Sequence, residues 1–510
     1  MTDIQLLTSY SEDRWLSAGH GPQLRSAIDG GAIAQMPAEA VVPEAMLHHA
    51  RTVGGPALRA LTFRERGKLL RGLAEAIIAR KEELYALSFA TGATRSDGWL
   101  DIEGGAGVFY VYAAKARDLP EAHVIAEGER EALSKGNFAG QHILTPLRGA
   151  AVHINAYNFP VWGMLEKLAP TLLAGVPAIV KPATATAWLT HAAFRIMIES
   201  GLLPPGAVQL LLGPTGDLFD HLTGEDAVAF TGSATTAARL RTHPVIVREA
   251  VRFTAEQDSL NASILGPDAA PDSPEFDLFV KETVREMTVK AGQKCTAIRR
   301  AMVPAPLLDA VEQAIATRIA KVTVGDPREE ATRMGALAGL AQRGEVLEGL
   351  AKLQKEAPVA VRGIAPDLPG AFVAPVLLRC ENPGDAEIVH EVEAFGPVAT
   401  LMPYGDIADA GSLARKGKGS LVMSLFTHDA EAAAQLVMET ASSHGRIVIV
   451  DRDSAADSTG HGSPMPHMIH GGPGRAGGGE ELGGLIGMKH YLQRTAVTAA
   501  PSTLDRVAAL

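Results

Sequence analysis

Cysteine is scarce in this chain. Cys295 and Cys380 are the only two cysteines among 510 residues, so at most one disulfide could form. A secreted protein of this length would gain little from one crosslink, and disulfides persist mainly in oxidising compartments. We therefore expect the protein to work in a reducing cytoplasm.

Long hydrophobic runs are also missing. Glu166, Lys167 and Pro170 interrupt one of the longest apolar stretches, and Pro177 and Lys181 interrupt another. Neither stretch approaches the roughly 20 residues that a membrane helix needs. The N-terminus has no basic region followed by an apolar core, so no signal peptide is predicted. We expect no membrane span.

Positive charge is in deficit. The chain has 47 lysines and arginines against 58 aspartates and glutamates, a formal net charge of −11. This balance argues against nonspecific binding to nucleic acid or to an anionic membrane. Hydrophobic residues make up 46% and charged residues 21%, which is typical of a globular protein with a large core. The length corresponds to roughly two to four domain-sized units.

The first strong secondary-structure signal is a predicted helix over residues 62–91. Thr62 and Glu65 form a capping box, and apolar residues follow at helical spacing up to Gly92. From residue 149 the pattern changes to short apolar strands that alternate with helices. The predicted strands span 150–154, 178–181, 208–212, 227–231 and 252–255, and the predicted helices between them span 161–174 and 184–200.

Strands that alternate with helices predict βαβ units and a parallel sheet. Ligands bind such a sheet at the carboxyl ends of its strands. Asn158, Lys181, Gly232 and Glu256 each come shortly after a predicted strand. We therefore expect these four positions to share one crevice. A second alternating block continues over residues 259–450.

Residues 459–484 are rich in glycine and contain three histidines, His461, His467 and His470. Such a segment is either a flexible loop or backbone that must approach a ligand or a neighbouring subunit closely. No carboxylate or cysteine stands at a spacing that would complete a metal site with these histidines, so no metal is predicted. We expect the histidines to line a substrate entrance or to lie in a loop.

Cys295 stands in a small, polar setting, with Lys290 and Lys294 close in sequence. A nearby cation favours the thiolate, which is the nucleophilic form of cysteine. A free cysteine is also often a small buried hydrophobe. From the local sequence both interpretations of Cys295 remain open.

Six short motifs follow one another along the chain. They are Ala-Tyr-Asn-Phe-Pro around Asn158, Val-Lys-Pro-Ala-Thr around Lys181, Phe-Thr-Gly-Ser around Gly232, Phe-Thr-Ala-Glu ending at Glu256, Gly-Gln-Lys-Cys-Thr around Cys295, and Glu-Ala-Phe-Gly-Pro starting at Glu393. This series resembles the aldehyde dehydrogenase superfamily over nearly the whole chain. It departs from the wider superfamily at Asp258 and Ser259, where a glycine pair is common, and at Ala237, where the cofactor turn commonly has a second glycine.

Two longer stretches, 153–170 and 477–485, are similar to one branch of that superfamily. The branch includes the dehydrogenase half of the phenylacetate-pathway bifunctional protein, which carries a C-terminal hydratase-like domain. This chain ends without such a domain. It therefore resembles more closely the semialdehyde dehydrogenases of the aerobic benzoyl-CoA (box) pathway, whose substrate is 3,4-dehydroadipyl-CoA semialdehyde.

The resemblance implies an α/β fold with two Rossmann-like parallel-sheet domains and a small β oligomerisation flap. The implied cofactor-binding domain comprises residues 1–128 and 148–258. The implied catalytic domain, with the nucleophilic cysteine, comprises residues 259–486. Residues 129–147 and 487–510 would form the oligomerisation segments, so a homodimer is expected.

The resemblance also implies a mechanism. Cys295 attacks the aldehyde, and the Asn158 amide together with the Cys295 backbone N–H stabilises the resulting oxyanion. Hydride transfer to a nicotinamide leaves a thioester, and Glu256 activates the water that hydrolyses it. Because CoA-acylating relatives can dispense with this base, a glutamate at position 256 favours release of a free acid. CoA would then be part of the substrate.

Glu166 is a further candidate catalytic residue. It follows Asn158 on the same predicted helix, and many members of the superfamily have no carboxylate there. We hypothesise that Glu166 relays protons to or from Glu256. The alternative is an ordinary charged pair with Lys167 on a solvated face.

Cofactor contacts are implied by the resemblance. Lys181 would bind the adenosine ribose, Glu393 the nicotinamide ribose, and Phe395 would pack near the ring. NAD-specific relatives commonly have glutamate where this chain has Thr184, and a glutamate would repel a 2′-phosphate, so NADP is predicted over NAD. The full set of implied cofactor-binding residues is Ile154, Asn155, Lys181, Ala183, Thr184, Gly216, Thr231, Gly232, Ser233, Glu393 and Phe395.

Other functions fit the motifs less well. A semialdehyde dehydrogenase of phenylacetyl-CoA catabolism is the nearest alternative. A cofactor-independent cysteine acyl hydrolase would need a histidine base, and no histidine lies near Asn158 or Glu256 in the series of motifs. A catalytically silent binding protein would not need Cys295, Glu256 and Asn158 together.

Overall fold

The computed structural model of the chain describes residues 4–16, 19–38 and 41–510. Residues 1–3, 17–18 and 39–40 belong to the predicted segment 1–128 but lie outside the described residues. The prediction of no signal peptide also concerns residues 1–3. Among the described helices, none is long and apolar enough to cross a membrane.

The strands are numbered here in chain order. They are β1 (Gln5–Leu6), β2 (Ser9–Ser11), β3 (Arg14–Leu16), β4 (Gln23–Arg25), β5 (Ala32–Gln35), β6 (Ile125–Ala132), β7 (Ala139–Pro146), β8 (Ala151–Ile154), β9 (Ala178–Lys181), β10 (Val208–Leu210), β11 (Ala227–Thr231), β12 (Arg252–Glu256), β13 (Ala262–Leu265), β14 (Arg300–Pro304), β15 (Val359–Arg362), β16 (Val376–Arg379), β17 (Val398–Tyr404), β18 (Ser420–Phe426), β19 (His444–Val450), β20 (Ile469–Gly471), β21 (Glu480–Leu482) and β22 (Leu492–Ala499).

The α-helices are numbered in the same way. They are α1 (Pro43–His49), α2 (Gly55–Arg59), α3 (Phe63–Ala79), α4 (Lys81–Ser88), α5 (Arg95–Lys115), α6 (Trp162–Ala174), α7 (Ala187–Glu199), α8 (Ala234–Arg241), α9 (Pro244–Arg248), α10 (Pro274–Thr288), α11 (Leu308–Ile319), α12 (Leu340–Leu353), α13 (Ile407–Arg415), α14 (Ala430–Thr440) and α15 (Pro501–Ala508). A π-helical turn, Ala50–Gly54, joins α1 to α2. Short 3₁₀ turns include Thr184–Thr186, Val289–Gly292 and Gly484–Tyr491.

The first large sheet has the strand order β12-β11-β8-β9-β10-β2-β3. Strands β12 to β10 in this order are parallel, and β2 and β3 continue the sheet in antiparallel pairing. Helices α3, α5, α6 and α7 cover one face, while α1, α8 and α9 cover the other. Strand β8 is therefore buried on both faces, which explains why its sequence is a continuous apolar run apart from one histidine.

The second large sheet has the order β15-β16-β17-β14-β13-β18-β19 and is parallel except for its β15 edge. Helices α10 and α11 pack on one face, and α12, α13 and α14 pack on the other. Each large sheet thus has helices on both faces, so the two Rossmann-like α/β domains expected from the resemblance are present.

A third, antiparallel sheet has the order β22-β7-β6, with α15 packed against β22 and β7. It combines residues near 125–146 with residues 492–499, which are far apart in sequence. Most residues of β6 and β22 are exposed. Its first strand begins at Ile125, within the segment 1–128 that was predicted to bind cofactor.

The predicted strands are confirmed to within a residue or two, but the predicted single helix over 62–91 is wrong. The capping box of Thr62 and Glu65 does open α3. The helix then ends at Arg80, whose φ of −117° and ψ of 19° are not helical, and α4 starts again at Lys81. The Arg80 guanidinium donates to Glu83 at 2.8 Å, so a side-chain contact stabilises the break.

Candidate active site

The predicted crevice forms at the carboxyl edge of the first sheet. Strand pairing places Ile154 beside Lys181, and Thr231 beside Glu256. Ile154 also lies beside Phe230, one residue before Thr231. Residues from the ends of four separate strands therefore lie at one edge, as parallel pairing requires.

Cys295 lies just beyond an unusual turn of the backbone. Lys290 and Ala291 have positive φ angles of 53° and 51°, and Gly292 follows at 68°. A Cβ at Gly292 would collide with the carbonyl oxygen of Gly396, so only glycine fits there. Left-handed residues without glycine carry strain that the surrounding contacts must offset, and such strain clusters at functional sites.

Two buried side chains hold the cysteine turn in place. Asn261 donates from Nδ2 to the carbonyl oxygens of Cys295 at 2.8 Å and Ala297 at 3.0 Å. The Arg299 guanidinium donates to the carbonyl oxygens of Gly292 at 3.0 Å and Lys294 at 3.2 Å. The position of Sγ is therefore determined by packing and hydrogen bonds on both sides of the cysteine.

The two lysines that are close to Cys295 in sequence bond to other groups, although the charge of Lys294 still lowers the pKa of the thiol. Lys290 Nζ donates to Thr91 Oγ1 at 2.9 Å, and Lys294 Nζ pairs with both oxygens of Glu286 at 2.7 and 2.8 Å. The left-handed turn directs these side chains to other partners, and the effect of Lys294 is outweighed. Burial, followed by the neighbouring charge of Glu256, raises the pKa of the Cys295 thiol well above its usual value.

Asn158 faces the cysteine turn. Its side chain is buried and donates from Nδ2 to the carbonyl oxygen of Gln293 at 3.1 Å. An amide nitrogen carries two hydrogens, so this bond leaves one for another acceptor. The bond ties the loop after β8 to the segment that carries Cys295.

Glu256, Cys295 and His470 form the chemical centre of the site. Their ligand atoms, the carboxylate oxygen, Sγ and Nε2, all lie within 4.8 Å of one another. His470 Nε2 is 3.0 Å from Glu256 Oε2 and 3.8 Å from Cys295 Sγ. Within the described residues Oε2 nevertheless has no aligned hydrogen-bond partner, so its contact with the imidazole is an ion-pair contact. The ring nitrogen is aligned with the sulfur of Cys295.

The charges of this group shift one another's proton affinities. Burial by itself would raise the pKa of the Glu256 carboxyl, but the positive charges of His470 and Lys167 hold that pKa below its usual value. Burial would likewise lower the pKa of the His470 imidazole, and the negative charge of Glu256 raises it above its usual value. Glu256 is therefore held as a carboxylate, and its charge makes neutral His470 a stronger proton acceptor than a free imidazole.

The three histidines of the glycine-rich segment lie in different surroundings. His461 is buried and contacts Ser424 Oγ at 2.8 Å through Nδ1, while His467 is exposed. Only His470 reaches Cys295 among the described residues, while His461 and His467 lie in the loop between β19 and β20. The statement that no histidine lies near Glu256 is corrected, because the fold brings His470 there from 214 positions away in the sequence.

Glu166 and Lys167 lie inside the protein. Their side chains are 5% and 1% exposed, so the alternative of a solvated charged pair is wrong. Glu166 accepts from Trp162 Nε1 at 2.8 Å and from Lys167 Nζ at 3.3 Å. Lys167 also donates to Thr231 Oγ1 at 2.6 Å and to Glu481 at 3.1 Å. The ammonium thus connects Glu166 to the strand end beside Glu256.

Glu481 completes this buried network. Burial, opposed by the charge of Lys167, raises the pKa of the Glu481 carboxyl to about 7. Its second oxygen, Oε1, has no hydrogen-bond partner within the described residues. A carboxyl with this pKa can exchange protons near neutral pH.

The residues that resemble cofactor contacts line the same sheet edge. Lys181 is half-buried and bonds only the carbonyl oxygen of Pro182 among the described residues, at 3.2 Å. Burial lowers the pKa of its ammonium. After Pro182 come the partly buried Ala183 and the exposed Thr184, which starts a 3₁₀ turn. Gly216 is exposed in the loop after β10, with a φ of 56°.

The start of α8 offers a second group of contacts. Gly232 donates its backbone N–H to the carbonyl oxygen of Glu256 at 3.1 Å, and a Cβ there would meet the Phe230 ring at 2.7 Å. Ser233 caps the helix by accepting from the N–H of Thr236 at 3.3 Å. One N–H of this helix end is already used, because Ala234 donates to Asp258 Oδ1 at 3.0 Å.

The set of donors fits a nicotinamide dinucleotide. The side chain of Asn155 is buried, and both its amide nitrogen and its oxygen are without partners in the described part of the chain. Buried polar atoms rarely remain unpaired. Together with the free donors of Lys181 and the accessible α8 end, Asn155 indicates a polar ligand at this edge.

Glu393 and Phe395 lie across from the cysteine turn. Glu393 accepts from the N–H of Ser259 at 3.1 Å and from Arg299 Nε at 3.3 Å. Burial, partly offset by the Arg299 charge, raises the pKa of the Glu393 carboxyl to about 7. The Phe395 ring packs edge-on against Tyr157, with centroids 6.2 Å apart. Arg299 therefore connects the cysteine turn to both of these residues.

Sequence reasoning did not assign the roles of several residues that shape the site, although it named two of them, His470 and Lys167. They are His470, Lys167, Glu481, Asn261 and Arg299. A signal existed for two of them, because His470 and Glu481 lie in the glycine-rich segment and its 477–485 stretch. Asn261 and Arg299 act through carbonyl oxygens of the cysteine turn, and no local pattern predicts such bonds.

Cys380 has none of these contacts. Its side chain is 2% exposed and packs in the apolar core on the α12–α14 face of the second sheet. The prediction that it is a small buried hydrophobe is confirmed.

Comparisons with known proteins agree with this geometry. The profile described as "Aldehyde dehydrogenase family" matches residues 24–497. The chain is 47% identical over 478 residues to a 3,4-dehydroadipyl-CoA semialdehyde dehydrogenase of Aromatoleum evansii, covering 92% of this chain and 93% of that protein. It is 52% identical over 176 residues to Protein MaoC of Klebsiella aerogenes, covering 34% of this chain and 52% of that protein. The structure of betaine aldehyde dehydrogenase from Staphylococcus aureus, in complex with NAD+, shares the fold with a TM-score of 0.85 at 24% identity, covering 97% of this chain and 95% of that one.

Proposed function

Because the chain belongs to the aldehyde dehydrogenase family, we propose that it oxidises an aldehyde to a free carboxylic acid, with Cys295 as nucleophile and Glu256 as the base that activates water. The observation that carries this proposal is the approach of Cys295 Sγ and the Glu256 carboxylate to within 4.8 Å of each other at the carboxyl edge of the sheet. A nucleophile and a base at this spacing can act in turn on one bound acyl group.

The chain's own residues suit each step. Cys295 attacks the carbonyl carbon and forms a thiohemiacetal, and Asn158 donates the second hydrogen of its Nδ2 to the oxyanion. After oxidation to the thioester, Glu256 takes a proton from a water molecule, which attacks the acyl carbon and releases Cys295. The lowered pKa of Glu256 keeps it in the carboxylate form that this step needs.

A bound nicotinamide supplies the hydride acceptor for the oxidation. Lys181, the α8 end and Asn155 would hold the adenosine and phosphate parts, while Glu393 and Phe395 would hold the nicotinamide ribose and ring. Ile154, Ala183, Gly216, Thr231, Gly232 and Ser233 complete the proposed lining.

The proposed substrate is a CoA-linked semialdehyde, 3,4-dehydroadipyl-CoA semialdehyde, in aerobic aromatic degradation. The support is 47% identity to a dehydrogenase of that name over nearly the full length of both chains. A semialdehyde of phenylacetyl-CoA catabolism is the second choice, because stretches 153–170 and 477–485 resemble the branch that includes the phenylacetate-pathway dehydrogenase. In either case CoA belongs to the substrate, and water hydrolyses the thioester that the acyl group forms with Cys295.

NADP is the proposed cofactor, with NAD bound more weakly. Thr184 is exposed three residues after Lys181, where it adds no negative charge to the proposed ribose site. A carboxylate at this position would repel the 2′-phosphate of NADP and could accept hydrogen bonds from the ribose hydroxyls of NAD.

Thr184→Glu is expected to reverse the preference. We expect kcat/KM for NADP to fall by about tenfold or more, a cost of about 1.4 kcal/mol in transition-state stabilisation, while kcat/KM for NAD is maintained or rises. Steady-state kinetics with both cofactors measure the ratio. Thr184→Ser, which keeps the hydroxyl, is the control. A wild-type enzyme that already prefers NAD would contradict the assignment.

Glu166 is proposed to relay protons to or from Glu256 through Lys167 and Glu481. The hydrogen-bonded path Glu166–Lys167–Glu481 is continuous, and Lys167 also contacts Thr231, the strand partner of Glu256. The path supports a relay because it links an internal carboxylate to a carboxyl that titrates near neutral pH.

Glu166→Ala is expected to lower kcat by about tenfold or more and to change its pH profile, because the ammonium of Lys167 loses one of its two carboxylate partners. Glu166→Gln keeps the bond to Trp162 and serves to separate packing from proton transfer. The measurement is kcat against pH with saturating aldehyde and cofactor. Unchanged turnover with an unchanged profile in Glu166→Ala would rule out the relay.

The domain assignments and the oligomeric state are also proposals. Residues 1–128 and 148–258 would bind cofactor, 259–486 would carry catalysis, and 129–147 with 487–510 would join two subunits. The exposed β22 edge offers unpaired backbone groups to a second copy, which supports a homodimer. The mass of the protein in solution tests whether it is a homodimer.

A reducing, cytoplasmic compartment suits an enzyme whose nucleophile must remain a thiol.

One assay tests the main proposal. Reduction of NADP is followed with a CoA-linked semialdehyde, and the product is identified as a free acid or a second thioester. A cysteine acyl hydrolase is the second candidate, because His470 contacts both Cys295 and Glu256. It would release acid from an activated ester without any nicotinamide and would not reduce NADP with an aldehyde.

A further inference from the structure

The geometry points to His470 as the residue that ionises Cys295. We propose that neutral His470 accepts the thiol proton at Nε2, and that the resulting imidazolium lies between the thiolate and the Glu256 carboxylate. Glu256 then never has to take the thiol proton and remains available to activate water. This inference rests on the proposed function, since it assigns a role within the same cysteine-dependent reaction.

The site poses an electrostatic problem that a cation must solve. Sγ and the Glu256 carboxylate lie within 4.8 Å of each other, where the Glu256 side chain is 2% exposed and Cys295 is partly buried. A thiolate formed there would face a second negative charge in a poorly solvated space. The reaction nevertheless requires the thiolate, because it is the nucleophilic form.

The other nearby cations have different partners. Lys294 is paired with Glu286, and Lys290 is bonded to Thr91. Lys167 is shared by Glu166 and Glu481, and Arg446 donates to the carbonyl oxygens of His461 and Ser463. Within the part of the chain that the structure describes, the group recorded in contact with both Sγ and the Glu256 carboxylate is the His470 imidazole.

The geometry around His470 suits proton transfer from sulfur. Nε2 lies 3.8 Å from Sγ with hydrogen-bond alignment. Glu256 Oε2 is nearer, at 3.0 Å, but is not aligned with the ring nitrogen and has no hydrogen-bond partner among the residues that the structure describes. The carboxylate thus acts on the imidazole through its charge, while the ring nitrogen is directed at the thiol.

The glycine-rich backbone explains how a histidine reaches this position. His470 lies in β20, opposite Glu481 in β21. Gly471 has a φ of 151°, and a Cβ there would collide with the carbonyl oxygen of Gly479. A Cβ at Gly445 would collide with the carbonyl oxygen of Gly471. These glycines allow the short hairpin to pack closely against β19, which brings His470 to Cys295.

The charged groups around His470 favour its protonated form. Glu256 and Glu166 favour the imidazolium, and Arg446 opposes it. Glu481 and Lys167 form the next layer and carry opposite charges. Burial opposes the imidazolium, yet the pKa of His470 is raised above its usual value.

The proposed step is balanced. The S–H bond of Cys295 breaks, an N–H bond forms at His470 Nε2, and the total charge does not change. No oxidant or co-reactant takes part. The imidazolium can later return the proton to Cys295 when hydrolysis of the thioester releases the sulfur.

Alkylation of Cys295 by iodoacetamide as a function of pH tests the role of His470. The full-length enzyme is used without cofactor or aldehyde, and Cys295→Ala defines the background. In His470→Asn the apparent pKa of alkylation is expected to rise by at least about one unit, so the rate at about pH 6.5 falls by about tenfold. In Glu256→Gln the rate at that pH is expected to be maintained or to rise, because the competing negative charge is gone.

The matched control is His467→Asn, since His467 is exposed on the same segment and has no such contact. Thermal unfolding and cofactor binding show whether each variant is folded. If His470→Asn itself is poorly folded, added imidazole with His470→Ala should restore alkylation at low pH. An unchanged profile in folded His470→Asn, or a tenfold loss in Glu256→Gln instead, would overturn the proposal. Alkylation requires no aldehyde oxidation, so a failure of the proposed dehydrogenase activity would be seen separately.

Discussion

Cys295→Ala is expected to lower aldehyde oxidation by on the order of 10⁴-fold or more. The aldehyde carbon cannot release hydride readily until a nucleophile has added to it, and no other thiol lies at the site. Cys380 is buried in the core of the second sheet. Reduction of NADP by saturating aldehyde measures the effect, and binding of NADP alone should not change.

Cys380→Ala is the matched control. It removes a similar buried sulfur, so it is expected to cost some stability, roughly 1 kcal/mol, while kcat changes less than about twofold. If Cys295→Ala retained a tenth of the turnover, or if Cys380→Ala lost activity while still folded, Cys295 would not be the nucleophile.

Glu256→Gln is expected to stop the reaction after oxidation. Glutamine has the same shape as glutamate but cannot accept a proton from water, so kcat should fall by about 10²- to 10⁴-fold. The first oxidation should still proceed, because Cys295 and the cofactor site are intact. We therefore expect a burst of reduced NADP close to one per active site, followed by slow turnover.

The trapped intermediate gives a direct measurement. Mass spectrometry of Glu256→Gln after the burst should show the chain with one added acyl group on Cys295, and the group should be lost on treatment with hydroxylamine. Glu249→Gln is the control, since Glu249 is a partly exposed carboxylate shortly before β12 and contacts Arg248. If free CoA accelerates turnover of Glu256→Gln or of the wild type, the acyl acceptor is a thiol and the hydrolytic proposal is wrong.

The strands and the edge they share could be predicted from sequence because each signal is local. Ile154, Lys181 and Glu256 end short apolar strands, and parallel pairing then aligns these ends whatever the length of the connecting helices. The helix boundary at Arg80 could not be predicted, because the pattern of apolar residues continues through it. Contacts of its guanidinium with Glu83 and Glu199, the latter from α7, stabilise the break.

The electrostatics of the site could not be predicted, because sequence proximity is a poor guide to which charges meet. Lys290 and Lys294 are close to Cys295 in the chain, yet a left-handed turn directs both to other partners. Glu166 and Lys167 looked like a surface pair because they are adjacent and charged. They are buried because α6 packs on the sheet while other helices cover it, so Met164 to Ala174 are buried without interruption.

The sequence by itself therefore determined the alternation of strands and helices, the sheet edge that collects Lys181, Thr231 and Glu256, and the choice of Cys295 as the proposed nucleophile. These features follow from local periodicity and from short motifs, which depend only on residues that are close together in the sequence. Tertiary structure alone decided that His470 contacts Cys295 and Glu256, and that Lys167 joins Glu166 to Glu481. The physical reason is that proton affinity depends on every charge within a few ångströms, and folding brings those charges together from segments that are far apart in the chain.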